Sequence, residues 1–439
     1  MGDRALVRPR RLALAIALAA AAVLPAAPPA RAQTDTVAAV VREAHAFILE
    51  YALHPVDPKG LLQRAIAAAQ LAASPAEAPP LLTGDTAEDV AAAVTFTAAA
   101  LRSLTPAQQE AALAAVLRAM IRELNDPFAA VFTPTEFRRF QEELRGERGG
   151  IGAQVDAGPA GAIVVSDVTA GGPAAREGML PGDAIEEVDG RSTLLLTPDE
   201  VLRLLRSAAG SSTSLTVRRG AVIRRITLTR AIVRENATRA RVVESRIGYL
   251  RLLEFSRQSA RDLNRAVAAL RGAGAQVLIL DLRANGGGLL DEAVDIASIF
   301  LPDGAVAFEE RRDDTEVLTV RAVERFPGAV VLLADRGSAS ASEIVAGALQ
   351  DAGAPIVGLP TYGKTTVQSI TIPPLPGDWG LRVTTARYLT RARRSIDGTG
   401  LTPNVRVAMD PRSIQAPGDV QYREALALAR TRLAVRTNP

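Results

Sequence analysis

The chain has 439 residues, of which 48% are apolar and 23% are charged. This is the composition of a globular protein with room for two or three domains, and it excludes wholesale disorder and a polytopic membrane protein. Cysteine is absent and histidine occurs only as His45 and His54. Disulfides, thiolate metal sites and a histidine-dependent catalytic triad in the C-terminal half are therefore excluded.

Residues 1–32 have the pattern of a secretory signal peptide, because four arginines precede an unbroken apolar run, Leu12–Leu24, and small residues allow cleavage after Ala32. The run is short for a membrane span and Pro25 follows it, which favours cleavage over an uncleaved anchor. Without this segment the formal charge falls from +3 to −1, so no basic footprint for nucleic acid remains. We expect an exported, periplasmic or extracytoplasmic protein whose contact with membranes, if there is any, is peripheral.

Residues 33–147 are predicted to form a helical domain. Apolar residues recur at helical spacing over 36–73, and a Pro-rich break at 74–80 separates this stretch from the next helices. Helices are expected over 87–103, 106–124 and Pro134–Leu144, the second of them with a cap and first-turn proline at Thr105-Pro106.

Residues 233–412 alternate between strand and helix patterns. Strands are predicted at Ile247–Leu252, Val277–Leu282 and Ala329–Ala334, and helices at Ser256–Arg271, Leu289–Phe300 and Ala341–Ala352. Because the strands are almost wholly apolar, they indicate an α/β core with a mainly parallel sheet. A strand at Leu381–Leu389 ends this core, and residues 413–439 are predicted to be a linker and a last helix.

Residues 148–232 change to short strand patterns with glycine-rich turns. The elements Gly149–Gly152, Gly178-Met179-Leu180-Pro181-Gly182-Asp183 and Val188-Asp189-Gly190 together resemble a PDZ domain. Backbone N–H groups of Gly150, Ile151 and Gly152 are predicted to bind a peptide carboxylate. A strand over Gly150–Val155 would pair with the bound peptide, and Val201 and Leu205 would line an apolar pocket. In the alternative interpretation these glycines only form tight turns.

Ser340 is a candidate nucleophile because it follows an apolar strand and begins a predicted helix, at the positive helix terminus. A serine needs a base, and only one residue downstream can act as a neutral amine. That residue is Lys364, one of two lysines among 51 basic residues, since arginine stays protonated. From the residues alone, Lys364 is either this base or an ordinary surface lysine.

Three motifs, Leu280–Gly288, Arg336–Glu343 and Tyr362–Gln368, resemble those of the S41-type carboxy-terminal processing, or tail-specific, serine peptidases. The resemblance implies that Ser340 is the nucleophile, Lys364 the general base and Gln368 the residue that orients it. It implies a core similar to the crotonase and Clp peptidase folds, and an oxyanion hole from the N–H groups of Ala341 and either Gly287 or Gly288. Asp281, Arg283 and Glu343 correspond to supporting charged residues, which we interpret as an ion-pair network under the site. No cofactor or metal is implied.

The chain departs from the family pattern in places. Thr365 replaces a usual glycine, and the connection between Ser340 and Lys364 is about one residue shorter. The sequence therefore predicts an exported endopeptidase that takes protein C-terminal tails as substrates, with an adaptor or homo-oligomer left open. A catalytically inactive tail-binding scaffold and an esterase are the alternatives, although no G-x-S-x-G elbow surrounds Ser340.

Overall fold

The computed structural model describes residues 30–75, 77–234, 236–410, 413–415 and 418–437. The predicted signal segment lies outside the described residues except for 30–32, which begin the first helix. Within the described ranges, no helix combines the length and hydropathy that a membrane span requires.

The N-terminal region is helical, as predicted. Its helices start at well-formed caps: the side chain of Asp57 accepts hydrogen bonds from the N–H groups of Lys59 and Gly60, and Thr105 and Thr133 form capping boxes. The single helical stretch expected over 36–73 is instead two helices, because Pro55 and the Asp57 cap interrupt it. The elements are α1 (Ala30–Tyr51), α2 (Pro58–Ala73), α3 (Thr86–Leu101), α4 (Pro106–Arg122), β1 (Ala130–Phe132) and α5 (Pro134–Leu144).

The middle region is a small antiparallel sheet, ordered β3-β4-β5-β7-β8, with a helix packed beside its edge strand β3. The predicted continuous strand Gly150–Val155 is wrong: Gly152 adopts φ +73°, so one strand ends at Gly150 and the next begins at Ala153. The elements are β2 (Glu147–Gly150), β3 (Ala153–Ala157), β4 (Ile163–Val168), α6 (Pro173–Arg176), β5 (Ala184–Val188), β6 (Arg191–Ser192), α7 (Pro198–Leu205), β7 (Ser212–Arg219), β8 (Val222–Thr229) and β9 (Ala231–Arg234).

The C-terminal region contains a six-stranded sheet, ordered β10-β11-β12-β15-β16-β19, that is parallel from β11 onwards. Every residue of β11 and β12 is buried, because helices cover both faces of the sheet. Helices α8, α9 and α10 pack on one face and α11 on the other. The elements are β10 (Thr238–Glu244), β11 (Ile247–Leu252), α8 (Ser259–Gly272), β12 (Val277–Asp281), α9 (Leu290–Ser298), β15 (Ala329–Ala334), α10 (Ala341–Asp351), β16 (Ile356–Gly358), β19 (Val405–Arg406) and α11 (Val420–Thr437).

A second, antiparallel sheet joins the N-terminal and C-terminal regions. Strand β1 pairs with β18, whose residues Leu381 and Val383 pack among the N-terminal helices. The prediction of a strand at Leu381–Leu389 is confirmed, whereas the charged hairpin β13–β14 was not anticipated. The elements are β13 (Ala305–Arg311), β14 (Thr315–Thr319), β17 (Thr366–Ile370) and β18 (Gly380–Thr390). The helical region, the PDZ-like domain and the α/β core predicted from the sequence are thus all present.

Candidate active site

Ser340 lies at the carboxyl edge of the parallel sheet, between β15 and the first residue of α10. Its backbone has φ +56°, a conformation that costs a non-glycine residue free energy and persists only where neighbours impose it. Two neighbours do so. The Ser340 N–H donates to Glu343 Oε2 at 2.9 Å, and Gly287 packs so closely that a Cβ there would lie 2.8 Å from Ala341 N.

The three serines of the motif differ in what their hydroxyls do. Ser338 Oγ donates to Leu282 O at 2.8 Å, and Ser342 Oγ donates to Asn285 O at 2.8 Å, both fully buried. Ser342 therefore anchors the neighbouring loop rather than capping the helix. Ser340 is the one of the three that is partly exposed, so it alone is accessible to a substrate.

The two predicted oxyanion glycines differ in their backbone contacts. The Gly287 N–H donates to Asn285 Oδ1 at 2.9 Å and is therefore occupied. Within the described residues, the N–H groups of Gly288 and Ala341 have no hydrogen-bond acceptor, and Gly288 is exposed. These two N–H groups remain available to an oxyanion.

Lys364 lies in the loop that leads into β17, so the candidate nucleophile and base come from two different sheets. Its ammonium donates to Thr366 O at 2.9 Å and to Gln368 Oε1 at 2.6 Å, and none of its hydrogen bonds within the described part of the chain goes to Ser340. Burial lowers the pKa of Lys364 to about 8, and the charge of Arg382 acts in the same direction. Asp126 and Glu343 oppose this shift.

Gln368, on β17, is held so that its carbonyl oxygen faces the lysine. Its Nε2 donates to Thr366 Oγ1 at 2.9 Å and to Thr384 Oγ1 at 3.1 Å. An amide group has one acceptor and one donor end, so these two bonds leave Oε1 toward the ammonium of Lys364.

Glu343 joins the nucleophile and the lysine loop. Its fully buried carboxylate accepts from the backbone N–H groups of Ser340 and Lys364 through Oε2, both at 2.9 Å. Its Oε1 accepts from Gly363 N at 2.6 Å and Thr361 Oγ1 at 2.5 Å. The expectation that Glu343 shares one ion-pair network with Asp281 and Arg283 is therefore wrong, because its partners are all backbone and hydroxyl donors.

Asp281 and Arg283 do form a buried ion pair, at 2.6 Å. The guanidinium also donates to Asp419 Oδ1 at 2.9 Å and to Gln421 Oε1 at 3.1 Å, and Tyr249 Oη donates to Asp281 Oδ2 at 2.7 Å. Burial alone would raise the pKa of Asp281, but the charge and hydrogen bonds of Arg283 outweigh it and keep that pKa below its usual range. The cluster fastens the loop that precedes Gly287 to the start of α11.

Sequence reasoning missed Asp419, Gln421 and Tyr249. Asp419 lies within the predicted linker around residues 413–419. The contact between Asp419 and Arg283 joins residues 136 positions apart in the sequence. The only signal available was an Asp directly before the periodic pattern of α11, which is typical of a helix cap. The structure uses this Asp both as a cap, through Tyr422 N, and as an ion-pair partner.

Thr365 stands where the family usually has glycine, and its hydroxyl group has a hydrogen-bond partner within the protein. Its side chain is buried and Oγ1 donates to Asp397 Oδ1 at 2.7 Å. The substitution therefore adds a tie between the lysine loop and the turn at residues 396–400.

The residues of the PDZ-like domain that were predicted to bind a peptide are buried in this structure. Gly150, Ile151 and Gly152 are buried. Val201 and Leu205 are 0% and 1% exposed and belong to the core of the domain. The side chains expected to line an apolar pocket thus pack in the core of the domain, while β3 remains the edge strand beside α7.

The described residues contain no group of three or more Asp, Glu or His side chains placed to hold a metal ion. The site itself presents a serine hydroxyl, a half-buried amine with a lowered pKa, an amide, and two N–H groups that have no acceptor within the described residues.

Comparison with known proteins assigns these regions to families. The model of peptidase family S41 matches residues 246–407, and a PDZ domain model matches residues 164–219. The fold is also similar to that of a structure described as an S41 protease from Bacteroides fragilis, with a TM-score of 0.52 and 17% identity over 90% of this chain and 97% of that one.

Two relatives are similar to this chain over a longer stretch than either family model covers. The chain is 34% identical to a carboxyl-terminal-processing protease of Synechocystis over 70% of this chain and 75% of that protein. It is 36% identical to carboxyl-terminal-processing peptidase 2 of Arabidopsis thaliana chloroplasts over 66% of this chain and 59% of that protein. On this similarity, and with both domain types in place, the chain belongs to peptidase family S41, the carboxyl-terminal-processing proteases with a PDZ domain.

Proposed function

We propose that this chain is an exported serine endopeptidase that binds protein C-terminal tails through its PDZ domain and cleaves upstream of them with a Ser340–Lys364 dyad. The observation that carries the proposal concerns the carboxylate of Glu343. One of its oxygens accepts hydrogen bonds from the backbone N–H groups of both Ser340 and Lys364. Because the pKa of Lys364 is lowered to about 8, a fraction of the amine is neutral near physiological pH and can act as a base.

In the proposed acylation step, the neutral amine of Lys364 removes the Ser340 hydroxyl proton while Oγ bonds to the scissile carbonyl carbon. The carbonyl π electrons move onto oxygen, and the N–H groups of Ala341 and Gly288 bind the resulting oxyanion. The C–N bond then breaks and the amine product leaves with the proton from Lys364. In deacylation, Lys364 removes a proton from water while the water oxygen bonds to the acyl carbon; the bond between that carbon and Ser340 Oγ then breaks, Oγ takes the proton back from Lys364, and the carboxyl product leaves.

The lysine must move for this step. Its ammonium donates to Gln368 Oε1 and Thr366 O rather than to Ser340, so proton transfer requires the deprotonated amine to turn its lone pair toward Ser340 Oγ. The neutral amine keeps two N–H groups, which can stay on Gln368 and Thr366, and the four-carbon side chain is flexible enough to reorient.

A serine-reactive fluorophosphonate and a loosely folded protein substrate test the proposal on the full chain. We expect labelling and turnover in the wild type, and loss of both in Ser340→Ala and Lys364→Ala. Equal behaviour of all three proteins would favour the non-catalytic scaffold. Turnover of small esters without turnover of tailed proteins would favour an esterase.

Export and tail recognition are tested separately. The arginine-rich, apolar composition of residues 1–32 supports export, and N-terminal sequencing of the secreted protein should give Gln33 as the first residue. The edge position of β3 beside α7 supports peptide capture, and a substrate whose C-terminal carboxylate is amidated should be turned over more slowly.

A further inference from the structure

Phe128 comes from the N-terminal helical region yet lies against the side chain of Lys364. The lysine Nζ is 4.8 Å from the centre of the Phe128 ring, within the range in which an aromatic face stabilises a cation. The dyad and its orienting glutamine all belong to the S41 core, so this ring is a contribution to the site from a different region of the chain.

The segment that carries Phe128 is fixed to β18 by two side chains. Asp126 Oδ2 accepts from Thr384 N at 3.0 Å, and Asp126 Oδ1 accepts from Phe128 N at 2.9 Å. From the other side, Arg382 Nε donates to Phe128 O at 3.1 Å. The ring is therefore held by the same strand that positions Gln368 through Thr384.

We propose that Phe128 is a positioning residue for Lys364: its ring stabilises the charged amine beside Gln368, and the N-terminal region thereby sets how readily the base becomes neutral. The inference rests on the proposed dyad. The charged groups that face the amine are Arg382 from β18, Asp126 from the N-terminal segment and Glu343 from α10, and the substitutions below leave all three unchanged.

Phe128→Leu separates the two effects of the ring. Leucine keeps the site apolar, so burial of the amine persists, but it has no negative π face to stabilise the cation. Without that stabilisation Lys364 loses its proton at lower pH. We therefore expect the acidic limb of the labelling rate against pH to move down by about 0.4 to 1.5 pH units, as the range of cation–π strengths implies.

The experiment measures fluorophosphonate labelling of the full chain across pH, with thermal unfolding as a check on folding. Phe128→Tyr keeps the ring and should restore the wild-type limb. Phe47→Leu alters a partly buried phenylalanine whose ring packs on Tyr51, whereas the ring over Lys364 is that of Phe128, so this variant should leave the limb unchanged. If Phe128→Leu fails to fold, Phe128→Met provides the same comparison.

The outcomes distinguish this inference from the proposed function. If the acidic limb of the labelling rate against pH stays in place or moves to higher pH in Phe128→Leu, the inference is overturned. The ring would then act only by filling space or excluding water. If Lys364→Ala labels as fast as the wild type, the dyad itself fails. Loss of labelling in Lys364→Ala together with an unmoved limb in Phe128→Leu overturns only the role of Phe128.

Discussion

The backbone N–H groups of Ser340 and Lys364 donate to the same oxygen, Glu343 Oε2, each at 2.9 Å. The two residues are separated by helix α10 and by β16; Ser340 follows β15 and Lys364 precedes β17, which are strands of different sheets. A single buried carboxylate therefore sets the spacing of the two backbone segments from which the Ser340 and Lys364 side chains extend.

Glu343→Gln should abolish most of the activity. The substitution removes the negative charge of a buried side chain and alters its hydrogen bonds. The carboxylate accepts four hydrogen bonds, whereas an amide presents an NH₂ group to two of those donors. The resulting displacement of either backbone should reduce fluorophosphonate labelling by about 100-fold.

The matched control is Glu136→Gln, which alters another carboxylate that accepts a backbone N–H, that of Thr133 at 2.8 Å, in a surface helix cap. We expect labelling near the wild-type rate from this control. Full labelling of Glu343→Gln would show that the shared oxygen is dispensable.

Gly287→Ala should disable the site, because a Cβ at this position would lie 2.6 Å from Ala339 O and 3.1 Å from Ser340 Cβ, in a backbone with φ +97°. Residues 339–341 would have to move, and we expect labelling to fall by about 100-fold or more. Gly286→Ala is the control, since an added Cβ there meets nothing within 4 Å. Similar labelling of the two variants would contradict the close packing.

Activity should rise with pH, because the base works only when neutral and the pKa of Lys364 is about 8. Below that pH the amine is protonated and cannot accept the Ser340 proton, so the labelling rate should fall about tenfold per pH unit on the acidic limb. Lys364→Arg should be inactive throughout, since a guanidinium stays charged. A rate independent of pH between about 6 and 10 would rule out an amine base with this pKa.

Arg283→Met should destabilise the fold, because it leaves the carboxylates of Asp281 and Asp419 buried without their cation. Removing one partner of a buried pair costs about 3–5 kcal/mol, which a shift of the denaturant midpoint would report. Arg218→Met, which breaks an exposed pair with Glu186, should cost about 1 kcal/mol or less. Equal midpoints for the two variants would mean that the buried cluster contributes little.

Local patterns predicted most of the fold. The apolar strands Ile247–Leu252 and Ala329–Ala334 occur with the predicted bounds, because a strand buried on both faces leaves a continuous apolar run. The hairpin β13–β14 was missed since its outer residues are charged and exposed, as in Glu316 and Arg311. The first residues of β13 are apolar and buried, and its pairing with β18 and with β14 extends the strand into the charged residues that follow.

Motif matching predicted the candidate site only in part. Ser340, Lys364 and Gln368 stand in recognisable motifs, and the structure places Lys364 beside Gln368. The pairing of Arg283 with Asp419 and the ring beside Lys364 could not be predicted, because Asp419 and Phe128 are distant in sequence from the residues they contact. Such contacts depend on how the sheets and helices come together, which no local pattern records.

The dependence of Arg283 on Asp419 has a consequence for the time at which the protein matures. A chain is made from its N-terminus, and its segments fold as they emerge. Ser340 and Lys364 are thus synthesised before Asp419, the second of the two carboxylates that bind Arg283. A nascent or prematurely ended chain that lacks residue 419 keeps the pair with Asp281 but loses this second contact, so the loop that precedes Gly287 gains its full set of partners only when synthesis is nearly complete.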